Sequence, residues 1–565
     1  MSFVSYGFLV FMAVCLLCFL AVNAVPGNKK SRRAAVLFAA SAVFLWLSGG
    51  ILSLAVYGCS ALTVWAGARG IERAGQQKGD SPKASAGKKR IFLAVLLCNL
   101  ALLAAFKYVN FPGYTLRELA WLTGREEMVS WTPVSIPAPA AISFYTLTLL
   151  GYLIEVYWGV ERAEKRFWKV ALFGGFFPQM STGPVARWGS LSATLFDGEA
   201  RKPGEVLEAA SEKEPGTSAA ADVFFGLRRI LWGLFKKLVI SERLAVVVNT
   251  VYGDYETYTG SFLVLAAVCF AFQLYTDFGG AVDIALGAAR MFGVRLEENF
   301  RQPFASRSIA EFWRRWHMTL GAWFKDFVMY PLMRTRAFEG LSRTCKKRFG
   351  KKAGKRVTTA AALFVVWFLL GLWHGGMWTF IIGSGLYHAF LMSAALLAEP
   401  VWANFYKKTG INRENPLWAA WQRLRTFVLV AIGFVFFRSD SLGMAFGIFK
   451  GMTSGDMGVF TAAGFASLGL SMADWGVLAV SMGILWAVSE VSSRREKRGD
   501  LGMAADTAVS ASPETAGGIC TVHDSRGEIC WGRLSAVCAA LAFAVLILGF
   551  YGRGYDAAAF IYAAF

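Results

Sequence analysis

Apolar runs recur along the whole chain, each closed by a short polar or basic stretch. A helix needs about 20 residues to cross roughly 30 Å of hydrocarbon. On that measure spans are predicted near 5–24, 34–68, 91–106, 138–158, 167–184, 223–250, 260–290, 358–373, 377–397, 425–446, 474–490 and 534–552. The 34–68 run has room for two passes with a turn at Ser48, Gly49 and Gly50, so the total comes to about ten to twelve. The expected fold class is all-α, a polytopic integral membrane protein forming a single membrane-embedded domain over 1–565. The first run, from Tyr6, has no basic residue before it and no small-residue cleavage site, so it reads as a retained span and not as a secretory signal.

Three departures from the apolar pattern stand out. The stretches 197–222 and 492–528 are rich in Ala, Gly, Glu and Ser and poor in aromatics, and read as flexible polar loops. The third, SRSIAEFWRRWHMTLGAWFKDF from Ser306 to Phe327, sets three tryptophans, a histidine and six charged side chains inside a greasy chain. Each charge at bilayer depth costs roughly 2.5 to 3.5 kcal/mol even on lenient scales, so this segment belongs outside the membrane or in a protein-lined interior. Ser308 and Glu311 have capping-box spacing, which starts a helix there. Ile309, Phe312, Trp313, Trp316, Leu320 and Trp323 then recur at three- and four-residue steps as one apolar face, and Glu311 can pair with Arg315. Such a helix is expected at the membrane interface or against the protein interior.

Composition agrees with the pattern: 56% hydrophobic and only 17% charged residues exclude an ordinary soluble domain. The net charge of +20 could suggest nucleic acid, but basic residues collect in the cytoplasmic loops of membrane proteins, and no nucleic-acid partner is expected. The basic clusters at Lys29–Arg33, Lys88–Arg90 and above all the loop read at 334–356, with ten basic residues against one glutamate, are expected to face the cytoplasm. They could also touch anionic lipid headgroups or an acidic partner. The cysteines lie mostly in apolar runs without metal-ligand spacing and act as small hydrophobes, so no bound metal is expected.

Candidate chemistry rests on the histidines, whose pKa near neutrality suits proton transfer. His523 lies in a polar loop, where solvent exposure accounts for it. His388, inside an apolar helix, reads either as a functional group or as a packed residue with a satisfied hydrogen bond. His374 ends an apolar run and is followed by Gly375 and Gly376, which permit a helix break and close approach of another backbone or ligand. Flanked by Trp373 and Trp378, it reads as a buried site or a structural histidine. His317 belongs to the amphipathic stretch, and that helix could be structural. Glu155, Asp277 and Asp283 are further charges inside apolar runs. The two aspartates are six apart and so do not share a helix face, which argues against a paired-carboxylate site.

The segments ISFYTLTLLGYLIEVYWG (Ile142 to Gly159), FFPQMSTGPVARW (Phe176 to Trp188), Tyr275 to Leu332 with its ENF…P-F…FWRRWH, and GLWHGGMWTFIIGSGLYHAF (Gly371 to Phe390) together resemble the bacterial membrane-bound O-acyltransferase family. The nearest branches are the alginate O-acetylation and teichoic acid D-alanyl transfer proteins. The resemblance runs from the first span to about residue 450. It implies spans in a ring around a central funnel, with short amphipathic and re-entrant helices. It makes His374, of the WHG motif, the essential base and His317, of RRWH, the second functional histidine, with Trp313, Trp316, Trp373, Arg314 and Asn299 binding substrate. The family's D-F-x-G-Y-x-D is here Asp277 to Asp283 with alanine in place of the aromatic.

The function implied is transfer of an acetyl or D-alanyl group from a cytoplasmic thioester to a hydroxyl of an exported cell-envelope polysaccharide, peptidoglycan or teichoic acid, or to a secreted or membrane-anchored acyltransferase partner. No cofactor is expected to stay bound. The donor is a co-substrate, acetyl-CoA or the phosphopantetheine thioester of an acyl carrier protein, which could dock on the basic 334–356 stretch. The expected setting is the bacterial cell membrane. The competing reading is a transporter or lipid flippase whose buried polar groups line a path and do no chemistry.

Overall fold

The computed structural model describes residues 1–78, 82–197, 219–412, 414–498 and 531–551. Among these the protein is helical throughout, its only extended pairing being an isolated antiparallel bridge between Phe300 and Trp316. Helix α1 (Tyr6–Ala24) is followed by α2 (Lys29–Lys78), α3 (Pro82–Lys107) and the short α4 (Phe111–Leu122). Next come α5 (Ile142–Trp158), α6 (Phe167–Gly175), α7 (Phe177–Met180) and α8 (Trp188–Ser192). A long pair follows, α9 (Ala219–Leu234) continuing through a π-helical turn into α10 (Glu242–Gly253), and then α11 (Ser261–Met291). Short helices α12 (Ile309–Arg315), α13 (Met318–Phe324) and α14 (Tyr330–Met333) lead into α15 (Arg336–His374). The chain closes with α16 (Tyr387–Leu397), α17 (Glu399–Thr409), α18 (Pro416–Arg438), α19 (Leu442–Met452), α20 (Ala462–Ala466), α21 (Met472–Arg498) and α22 (Trp531–Leu548).

Nine of the described helices are long and apolar enough to cross a membrane. The long 34–68 run does bend where expected: Gly50 has φ of 66°, a left-handed conformation that glycine alone adopts without strain, so α2 is two helices joined end to end. The stretch α9–α10 is not among the nine because Arg228, Arg229, Lys236, Lys237, Glu242 and Arg243 dilute its apolarity.

Three expectations change. The 167–184 run is not one span: it breaks at Phe176 into α6 and α7, where a Cβ on Gly174 would clash with Leu149 and one on Gly175 with the Tyr57 ring. The 425–446 run likewise ends at Ser439, before α19 begins. The basic 334–356 stretch is helical. Thr335 caps its start by accepting from Phe338 N–H, and Gly350, with φ of 80°, kinks it before the apolar part of α15. The expected polar loops at 197–222 and 492–528, with His523, fall mainly outside the described residues.

The tightest helix pair is α9 against α11. A Cβ at Gly226 would come within 2.5 Å of the Gly287 carbonyl, and one at Gly233 within 2.5 Å of the Gly280 carbonyl. Glycines seven apart on each helix therefore let the two backbones touch, as small residues do in membrane helix pairs. That approach brings opposite charges together: Arg229 with Asp283 and Glu298, Lys236 with Asp283, and Lys237 with Asp277 and Glu242. Asp277 and Asp283 are thus counter-ions to α9, in keeping with their unsuitability as a carboxylate pair.

Candidate active site

The sequence pattern predicts one helix from Ser308 through Trp323, and its start forms as expected. The Ser308 hydroxyl accepts from Glu311 N–H at 3.2 Å, and Arg315 pairs with Glu311 at 3.1 Å. The glutamate returns its bond to Arg307 N–H, one residue before the cap. The helix does not continue. Trp316 turns extended to bridge Phe300, and His317 takes a left-handed conformation with φ of 47° before α13 begins. A non-glycine residue there costs of order 1–3 kcal/mol, and such strain gathers at functional sites.

What holds the break is Asn299, fully buried. Its carbonyl accepts from Met318 N–H at 3.0 Å. Its side-chain oxygen accepts from Thr319 N–H at 3.1 Å and from the Thr319 hydroxyl at 2.9 Å, and lies 3.2 Å from His317 Nδ1. A backbone N–H can only donate, so the oxygen end of the amide faces this way and Nδ1 of His317 carries the hydrogen. Burial pushes the His317 imidazole down to about 3. The ring is therefore neutral at physiological pH with its lone pair on Nε2, the form that accepts a proton.

His374 arrives from a different element. It is the last residue of α15, and Gly375 follows in an extended conformation. A Cβ on Gly375 would lie 2.5 Å from the Phe380 ring, which leaves no room for a side chain, and one on Gly376 would fit tightly against Tyr108 and Phe111. A π-helical turn from Phe380 to Leu386 comes directly after the break, a feature frequent at functional sites.

The two histidines meet around Trp373. Its ring centroid is 6.1 Å from His317 and 5.2 Å from His374, with Phe144 at 5.6 Å closing the side. Each histidine is 2% exposed, and His317 lies within electrostatic range of His374. The Trp373 indole N–H donates to the Ser143 carbonyl at 3.4 Å.

Of the other expected site residues, Asn299 and Trp373 are in this cluster. The Trp316 ring packs on Phe300, Phe312 and Phe434, while the Trp313 ring packs on Trp367 and His388. Arg314 is exposed on α12. His388 is fully buried with no hydrogen-bond partner on either ring nitrogen among the described residues, and Nε2 abuts Gly433 of α18. The sequence reading passed over Lys107, whose Nζ bonds both Ser143 and the Trp373 carbonyl. At the end of an apolar run a lysine reads as an interfacial anchor, so only its folded neighbours single it out.

Long apolar helices gather around a buried pair of histidines, each presented at a helix break, the arrangement of a membrane-embedded polar site. No protein-family model matches the chain. Individual relatives do. A Pseudomonas aeruginosa protein described as a probable alginate O-acetylase is 30% identical over 445 residues, covering 79% of this chain and 74% of its own. The peptidoglycan O-acetyltransferase of Helicobacter pylori is 29% identical over 391 residues, 64% of this chain and 65% of that one. The teichoic acid D-alanyltransferase of Bacillus subtilis is 28% identical over 299 residues, 52% and 67% of the two chains. The chain belongs to the membrane-bound O-acyltransferase family and is a multi-pass bacterial membrane enzyme that transfers acyl groups to oxygen.

Proposed function

We propose that this enzyme moves an acetyl or D-alanyl group from a cytoplasmic thioester to a hydroxyl of an exported envelope polysaccharide, peptidoglycan or teichoic acid, or of a secreted partner that completes the transfer. The observation that carries this reading is the meeting of His317 and His374 across Trp373. In the reaction the acceptor hydroxyl oxygen attacks the thioester carbonyl while His374 takes the hydroxyl proton, a contribution of about 10² to 10⁴ in rate. The tetrahedral oxyanion then collapses, the C–S bond breaks, the ester is formed and the departing thiolate receives the proton. His317 orients the acceptor or the donor beside His374, without taking the hydroxyl hydrogen that His374 removes. Asn299 acts through His317, and Trp313 and Trp316 brace the wall from which it projects.

The donor is acetyl-CoA or a carrier-protein phosphopantetheine thioester. For a carrier, the basic 334–356 helix offers electrostatic complementarity to acidic helices. Reversing Lys346, Lys347 and Lys351 to glutamate is expected to slow transfer by about tenfold or more, the range over which charge steering alters association rates. Unchanged transfer in membranes carrying that variant would remove the carrier-docking role.

His374→Ala tests the whole reading. Cells whose only copy carries it are expected to lose ester-linked acetate or D-alanine, released from the envelope by mild alkali, while the protein still inserts. Normal ester content in those cells would sink the assignment of His374 as the base.

A further inference from the structure

Lys107 takes no part in the chemistry above, yet it lies partly buried against the site. It is the final residue of α3, and its Nζ donates to the Ser143 hydroxyl at 2.9 Å and to the backbone carbonyl of Trp373. The same Nζ lies 5.1 Å from the centroid of the Trp373 ring. Because the Trp373 indole N–H is bonded to the Ser143 carbonyl, one lysine ties together the end of α3, the start of α5 and the end of α15. The end of α3 packs flush on the break itself, since a Cβ on Gly376 would sit 3.5 Å from the Lys107 carbonyl. Lys107 is also within electrostatic range of His374.

The carbonyl it takes is special. The last carbonyls of a helix have no intrahelical donor, and together they present about half a negative charge at the C-terminus. Here that terminus is the residue pair Trp373–His374. Acyl transfer builds negative charge on the thioester oxygen, so an uncapped helix end beside the reacting atoms carries the wrong sign.

We propose that Lys107 is a positioning residue for acyl transfer: by capping the Trp373 carbonyl it fixes the break that presents His374 and sets an N–H donor against the carbonyl end of α15. This rests on His374 being the reacting histidine. A lysine that merely anchored α3 would matter for folding and not for rate.

The test compares Lys107→Met, Lys107→Arg, Lys107→Ala and His374→Ala, each as the only copy in cells. Two quantities are followed: the initial rate at which alkali-labile acetate and D-alanine appear on the envelope, and the melting of the purified protein in detergent. Lys107→Met is expected to melt with the parent protein and to transfer about 10²-fold more slowly, the scale of losing one positioning contact. Lys107→Arg recovers part of the rate, and added ethylamine restores Lys107→Ala but not His374→Ala. Parent-level transfer by Lys107→Met would overturn the proposal. So would loss of melting temperature in step with rate across all three Lys107 variants, with no response to ethylamine. An inactive His374→Ala beside a fully active Lys107→Met removes this proposal alone, whereas a fully active His374→Ala removes it together with the base assignment.

Discussion

Helix α11 has a polar cluster on either side, and the two are built differently. Towards α9 it offers Asp277 and Asp283, which meet Lys237, Lys236 and Arg229, while Glu298 and Glu242 complete the set. Towards α13 it offers Phe278, whose ring lies 4.9 Å from His317, and beyond that lie an amide, two imidazoles, an amine and an indole. In the first cluster opposite charges offset one another's desolvation, which leaves a tight brace with little capacity to react. In the second, His317 is held neutral by burial and fixed in one tautomer by Asn299, an imidazole hydrogen-bonded to a neutral amide. Burial alone therefore does not mark a reactive group. What marks it is burial among neutral partners in place of counter-ions.

That contrast can be broken most forcefully at Asp283. Asp283→Ala strands Lys236 and takes one of two carboxylates from Arg229, and breaking a buried pair in this way costs about 3–5 kcal/mol. The expected result is poor yield and a large drop in the detergent melting temperature, with near-parent transfer per folded molecule. A stable Asp283→Ala protein with lost activity would place the charge cluster in the chemistry.

Asn299→Ala is a middle case. It removes the acceptor for Thr319 N–H, a loss of about 1–3 kcal/mol in stability. It also frees the His317 ring from its tautomer, for which a slowing of about 10²-fold is expected in the rate of envelope acylation. A variant that loses stability but keeps its full rate would show that the tautomer does not matter.

The smallest effect belongs to His388. Because neither of its ring nitrogens has a hydrogen-bond partner among the described residues, an apolar replacement forfeits no bond. His388→Leu is expected to change stability by less than about 1 kcal/mol and to transfer at the parent rate. Loss of envelope esters in that variant would move His388 from helix packing into the active site, and would blur the line between the two clusters.

Much of the fold is legible in the chain because hydrocarbon thickness imposes run length locally. The kink of α2 at Gly49 and Gly50, the cap at Ser308 and the break at Gly375 and Gly376 all follow from residues within one or two turns of each other. Misreadings came where a neighbour far along the chain overrode local periodicity. The 306–327 pattern is helical throughout by spacing, but Phe300 and Asn299 pull Trp316 and His317 out of the helix. The 167–184 run is apolar enough to span, but breaks at Phe176, beside glycines packed on Leu149 and the Tyr57 ring.

From sequence alone came the all-α membrane architecture, most of the span positions, the family resemblance and the two histidines worth testing. The sequence could not say that those histidines share Trp373, that glycines on α9 and α11 bring five nearby charges into register, or that Lys107 reaches a carbonyl 266 residues away. Periodicity and capping depend on a few adjacent residues and one solvent, whereas a polar contact in a buried site depends on which distant helix happens to lie across from it.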